Sequence, residues 1–209
     1  MNQVPANQAI TKNLILASKS AARLSMLTGA GLQVDSVAPM VDEISIRAAM
    51  IAEKASARDI ADALAEAKAV KISKKHPAAL VLGSDQILQC DNGEILSKAE
   101  TPGQAKATLA MLSGKTHRLY SAAVIAEAGR PIWRHIEKSV LIMRPLSAQF
   151  IDNYVHEYWE DIRPCVGCYR IEAEGIQLFE AVEGNYFAIM GMPLLPLLNH
   201  LRVTGILPS

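Results

Sequence analysis

No apolar run in this 209-residue chain reaches the ~20 residues that a bilayer-spanning helix needs, so no span of that kind is expected. Neither sign of charge is in surplus: Lys plus Arg and Asp plus Glu each number 21, for a formal net charge of zero. Proteins that track a polynucleotide hold excess cations against its phosphates, so this balance argues against a nucleic acid polymer as partner. It leaves room for one nucleotide, which a few clustered cations can grip. The N-terminal stretch MNQVPANQAITKN has neither a basic start nor an apolar centre and does not resemble a secretion signal. The expected setting is the cytoplasm.

Cysteine is scarce and odd in number: Cys90, Cys165 and Cys168. That argues against a disulfide framework. Cys165-Val-Gly-Cys168 has a spacing that suits a redox pair or half a zinc site, but a zinc site wants a second close pair and the chain has none. Packing thiols are the preferred reading. The five histidines show no ligand spacing. Internal repeats, low-complexity linkers and sharp breaks in composition are also missing, so residues 1–209 are expected to form a single domain, with 1–12 as a flexible extension. Half of the residues are hydrophobic, enough to build a sizeable core.

The apolar run Leu14-Ile15-Leu16-Ala17 reads as a buried strand, and Ser20 after it can cap a helix through Leu27, stopped by Gly29 or Gly31. Val34 to Val37 alternates like a strand. From about Ser56 to Lys75, Ile60, Leu64, Ala67 and Val70 fall at helical spacing. Ala79 to Gly83 reads as a second buried strand ending at the polar group Ser84-Asp85-Gln86. Ile87-Leu88 and Ile95-Leu96 then flank Asp91-Asn92-Gly93, a hairpin signal. Pro102 opens a helix to Leu112. Two long strands follow, Leu119 to Glu127 and Ile132 to Met143, joined at Ala128-Gly129-Arg130. Ser147 starts another helix, Ile176 to Val182 another strand, and Pro193 a terminal helix whose Met192, Leu194, Leu195, Leu197 and Leu198 are expected to pack in the core rather than face a partner. The pattern predicts an α/β fold: a mixed twisted sheet with flanking helices, in two lobes around a central cleft.

Polar residues cluster where apolar elements end, the places at which open sheets bind ligands. Ser18, Lys19, Ser20 and Arg23 surround the first strand-to-helix turn, where N–H groups and cations attract phosphate oxygens; such turns are also common without a ligand. Asp42-Glu43 follow Pro39 in what reads as a loop, and exposed acidic pairs need no function. Asp85 is expected to project from the end of its strand beside a glycine that permits close approach. Glu43 and Asp85 offer hard oxygen ligands for magnesium or manganese. Lys68 or Lys98 would offset charge on a leaving pyrophosphate. The same residues serve equally as a strand-end ion pair.

Taken in order, these segments resemble the Maf family, over nearly the whole chain from Leu14 to about Gly205. The family's A-S-x-S-P-x-R motif is matched by Ala17-Ser18-Lys19-Ser20-Ala21-Ala22-Arg23, its D-E pair by Asp42-Glu43, and its E-x-K-A helix by Glu66-Ala67-Lys68-Ala69. Gly83-Ser84-Asp85-Gln86, Lys98 in ILSKA, the stretch Leu112 to Tyr120 and the close EGNYFAIMGMPL complete the match. The resemblance implies a nucleoside triphosphate pyrophosphatase that releases pyrophosphate and a monophosphate, working as a homodimer with a divalent cation. It implies Asp85 as the general base, Glu43 with Asp85 as metal ligands, and Ser18, Ser20, Arg23, Lys68 and Lys98 as substrate-binding residues.

Three positions that differ between family subgroups are here Ala22, Gln86 and Glu172. Gln86 and Glu172 resemble the subgroup acting on 7-methylguanosine triphosphate rather than the one acting on thymidine and uridine triphosphates. A carboxylate accepts both N1–H and N2–H of guanine, whereas the single donor of uracil or thymine between two acceptors suits an amide; a lost polar match is costly. Ala21 stands where the family has Pro, Ala22 where it has Trp or Arg, and Ser97 and Ala99 where it has Gly and Pro around Lys98. Two other readings accompany the enzymatic one: a nucleotide-binding regulator with little turnover, and a cell-division interaction protein.

Overall fold

In the computed structural model, which describes residues 13–208, the first apolar run forms β1 (Leu14–Ala17), buried at every position. Ser20 caps α1 (Ala21–Gly29), its hydroxyl accepting from the Arg23 amide. β2 (Val34–Ser36) pairs parallel to β1 on its outer side. Asp42 caps α2 (Glu43–Ala52), and Ser56 caps α3 (Ala57–Ser73). β3 (Leu80–Cys90) pairs parallel to β1, and α4 (Pro102–Leu112) follows with Thr101 as its cap. β4 (Thr116–Glu127) and β5 (Arg130–Met143) form an antiparallel hairpin. Its turn places Ala128 and Gly129 both at positive φ, the geometry that matches the twist of the flanking strands. α5 (Ala148–Ile162) is capped by Ser147; β6 (Phe179–Glu183), α6 (Tyr186–Ile189) and α7 (Leu194–Val203) complete the chain.

The six strands form one mixed sheet in the order β2-β1-β3-β4-β5-β6, as the α/β reading expects. α3 covers one face, packing Ile60, Leu64 and Ala65 against Ile87, Ala122 and Val124. The opposite face carries two apolar clusters. One joins Leu14, Leu16, Leu82 and Ile125 to α1 and α7; the other joins Leu88, Leu119, Leu141 and Met143 to α4 and α5. Between them runs a polar strip of Ser84, Gln86 and Ser121, a seam between the two clusters. Met192, Leu194 and Leu197 are buried, so the terminal helix does pack inward, although Leu195 is half exposed.

Two expectations are corrected. β3 does not stop at Gly83 but continues through Asp85 to Cys90, because β4 pairs with it over that whole length. Glu43 is not in a loop but opens α2, a short helix whose Ile46 and Met50 are only half-buried against the α3 cluster. The expected extension, residues 1–12, lies outside the described residues. No helix among the described residues is long and apolar enough to cross a membrane.

Candidate active site

β1 ends at Ala17, opposite Gly83, so the part of β3 beyond Gly83 has lost its parallel neighbour. The turn from Ser18 to Ser20 fills that edge. The Ser18 hydroxyl accepts from the Ser20 amide at 3.1 Å and from Arg23 Nη1 at 3.4 Å. Arg23 Nη1 also donates to the Ser84 carbonyl at 2.9 Å, and its Nε to the Gly191 carbonyl at 2.9 Å. The guanidinium thus joins α1, β3 and the loop before α7. Burial lowers its pKa, while Asp85 and Glu43 pull it back up.

On the α3 side, Gly83 sets the spacing. A Cβ there would strike the Ala65 carbonyl oxygen and the Ala69 backbone nitrogen, so the missing side chain lets α3 lie close against the sheet. Lys68, one turn from Ala65, then reaches Asp85: its Nζ donates to Oδ1 at 2.5 Å. The same ammonium meets Glu43 Oε2 at 2.9 Å. Lys68 and Asp85 are both buried. Asp85 Oδ2 is buried with no partner. One carboxylate oxygen is therefore pinned and the other left free, an arrangement that costs about 1–3 kcal/mol unless water, a cation or a ligand supplies the missing bond.

Lys98, in the loop between β3 and α4, belongs to the same crevice. Its residue is exposed, yet burial around its ammonium end lowers its pKa; Arg23 and Lys68 push the same way, and Asp85 and Glu43 oppose. Strand alternation sends Gln86 to the opposite face from Asp85. Its Nε2 lies 2.9 Å from Ser121 Oγ and 3.0 Å from both the Ala188 and Ile189 carbonyls. Ala22 sits half-buried in the first turn of α1. Glu172 is exposed, and its charge acts on Cys165, which also feels Lys98; this ties the Glu172 segment to the Lys98 side of the crevice.

Burial pushes the thiols of Cys165 and Cys168 up to about 11. A separate shallow cavity of about 300 Å³ lies along α3, but there Arg134 is matched by Asp62 and Glu66, each at 2.6 Å. Among the described residues, only the crevice combines a free buried acid oxygen with several converging cations.

A family model described as Maf-like protein matches residues 13–204. This chain belongs to the Maf-like family. The nucleoside triphosphate pyrophosphatase of Sphingopyxis alaskensis is 51% identical over 196 residues, covering 94% of this chain and 99% of that one. The protein of the same name from Ruegeria pomeroyi is 50% identical over 200 residues, covering 96% and 100%. That of Caulobacter vibrioides is 48% identical over 192 residues, covering 92% and 96%.

Of the residues in Maf-like motifs, Ser18, Arg23, Glu43, Lys68, Asp85 and Lys98 meet around one crevice; Ser20 shapes its floor as the α1 cap. Gln86 stands apart on the far face of β3. Four contributors were not singled out in the sequence: Ser84, whose hydroxyl donates to the Gly191 carbonyl at 3.0 Å, Ser121, which donates to the Ala188 carbonyl at 2.6 Å, the Gly191 carbonyl itself, and Arg47, whose Nη1 donates to Ser97 Oγ at 3.0 Å. Arg47 had a readable signal, since it follows Glu43 by four residues after a helix-capping Asp42.

Proposed function

We propose that this chain hydrolyses a nucleoside triphosphate to a nucleoside monophosphate and pyrophosphate. The observation that carries the reading is the asymmetry of Asp85: Oδ1 held by Lys68, Oδ2 buried and open in a crevice lined by cations. Held this way, the carboxylate is suited to take a proton from water while the water oxygen attacks the α-phosphorus. The bridging bond to the β-phosphate breaks, and its electron pair leaves with pyrophosphate. Arg23 and Lys98 would stabilise the charge that gathers on the leaving group. Lys68 has three donors, two of which face Asp85 and Glu43, and the third is available to a phosphate oxygen.

A divalent magnesium or manganese ion fits the donors. Glu43 and Asp85 supply two carboxylates, one with an orphaned oxygen, and such ions accept phosphate oxygens and water for the rest of their shell. No group of three or more His, Cys, Asp or Glu among the described residues is arranged to hold a metal, so the substrate would have to complete the site. When bound, the ion would neutralise phosphate charge.

For the base, the reading favours a modified guanine nucleotide resembling 7-methyl-GTP, supported by the carboxylate of Glu172, exposed beside the Lys98 side of the crevice. Ala22 would leave room at the position where the Maf motif has Trp or Arg. Gln86, its amide nitrogen committed to α6, would influence base choice by placing that helix. A pyrimidine triphosphate is the alternative substrate, and a cytoplasmic homodimer is the expected form. Pyrophosphate release across a panel of triphosphates with magnesium or manganese tests the proposal. Release that depends on Asp85 supports it; tight binding with no release by the native protein would leave the nucleotide-binding regulator in its place. Glu172→Gln should shift preference away from guanine-type bases, and an unchanged profile would remove Glu172 from base recognition.

A further inference from the structure

α2 is ten residues long and buries none of them. Ile46 and Met50 rest half-buried against the α3 cluster, and polar contacts hold the rest. Asp42 Oδ1 accepts from the Ser45 amide at 3.0 Å, and Lys71 donates to the Met40 carbonyl just upstream. Glu43 meets Lys68, and Arg47, four residues on and therefore on the same helix face, reaches Ser97 Oγ. Ser97 immediately precedes Lys98. The Arg47 guanidinium consequently stands between α2 and the loop that carries Lys98, at the rim of the crevice that holds Asp85.

Its bonding is incomplete in a telling way. A guanidinium has five N–H donors, and Arg47 spends one on a neutral hydroxyl. Its Nε is buried without a partner, and no carboxylate among the described residues lies within ion-pair distance. Arg134 and Arg170, by contrast, each engage two acids. Including Arg47, four cations (Arg23, Arg47, Lys68 and Lys98) stand over two acids, Glu43 and Asp85. Arg47 is only partly buried, but its shielded Nε is costly to leave unpaired, and the fork of guanidinium donors suits phosphate oxygens.

We infer that Arg47 is a further substrate-binding residue, gripping the phosphates beyond the one attacked, at the pyrophosphate end of the chain. This rests on the triphosphate reading of the crevice. One helical turn separates Arg47 from Glu43, so it flanks the acid pair rather than joining it. The single contact with the exposed Ser97 hydroxyl gives way when the polyanion binds.

The test uses the full chain and two readouts: calorimetric binding of inorganic tripolyphosphate with magnesium, and steady-state pyrophosphate release. Arg47→Gln keeps a donor for Ser97 but loses the charge; Arg47→Lys keeps the charge; Ser97→Ala removes only the strap. Arg47→Gln should weaken tripolyphosphate binding and raise KM about tenfold or more, as expected for losing a charge-assisted bond. Nucleoside monophosphate affinity should stay within twofold. Arg47→Lys should recover most of the loss, and Ser97→Ala should change neither readout. If Ser97→Ala reproduces Arg47→Gln, or if Arg47→Gln binds tripolyphosphate like the native protein, Arg47 is a strap for α2 and the inference falls. A native protein that binds tripolyphosphate through Arg47 yet releases no pyrophosphate would keep this site and overturn the hydrolytic reading instead.

Discussion

Asp85 and Gln86 are neighbours on β3, yet they leave opposite faces of the sheet and meet different layers of the fold. Asp85 faces α3 and its Lys68; Gln86 faces α6 and the carbonyls of Ala188 and Ile189. One dipeptide in mid-strand therefore carries the proposed general base on one side and an anchor for α6 on the other. The rigidity of an eleven-residue strand, paired with β4 throughout, fixes both at once.

Asp85→Asn keeps the shape of the side chain and removes its basicity. Turnover should fall by about 10²–10⁴-fold, the usual contribution of a positioned general base. KM should change less, because the cations that bind phosphates remain. Pyrophosphate release under saturating substrate checks this. A variant retaining most of the native kcat would remove Asp85 from proton transfer.

Lys68→Met strips the shared cation from two acids. Asp85 is buried, whereas the Glu43 side chain is 42% exposed and can turn to water. The cost should therefore sit near the lower end of that for a broken buried pair, about 3 kcal/mol. Adding Asp85→Asn removes the uncompensated charge and should restore a good part of the loss. Urea unfolding of the single and double variants measures it; additive losses would show that Lys68 and Asp85 do not stabilise one another.

Much of this architecture was readable because its causes are local. Ser20, Ser56, Thr101 and Ser147 each precede a helix and each accepts a capping bond. The apolar runs from Leu14 and Leu80 became strands where they stood, whereas the stretch from Ile176 opens as a 3-10 turn before its strand begins at Phe179. The extent of β3 was not readable. Ser84-Asp85-Gln86 looks like a strand terminus, since the partners that let polar groups remain inside lie far away in sequence: Gly191 is 107 residues from Ser84, and Ala188 is 102 from Gln86. α2 is hard to read because it is short and its apolar residues point all round, with Ile46 and Met50 half-buried against α3 while Ile44 and Ile51 are exposed. The cations and acids of the crevice were readable as types, but their convergence depends on Gly83 drawing α3 onto the sheet.

Gln86→Ala should act on the seam rather than on one base. The Ala188 carbonyl keeps the Ser121 hydroxyl, but the bond to the Ile189 carbonyl is lost. A loss of about 1–3 kcal/mol is expected for the unpaired buried group. KM should rise by a similar factor for purine and pyrimidine triphosphates, since the whole of α6 loosens. Comparing KM across the nucleotide panel decides the point: a rise confined to one base would mean that Gln86 touches the base itself.

Stability should decline in acid partly through His117. The ring is fully buried on β4, with Nε2 2.8 Å from the Tyr169 hydroxyl and Nδ1 lacking a partner. Burial lowers its pKa from 6.5 to about 4. Above pH 6.5 both folded and unfolded chains hold the ring neutral, and its full contribution to stability is present. As pH falls from 6.5 toward 4 the unfolded chain takes up the proton first, so stability drops across that window and levels off below it. At 1.36 kcal/mol for each pH unit, the loss is on the order of 3 kcal/mol. His117→Gln stays neutral and can still meet Tyr169, so its Tm should fall less steeply between pH 6.5 and 4. Thermal unfolding of both proteins followed by circular dichroism through that range makes the comparison, and parallel curves would assign the acid loss to other groups.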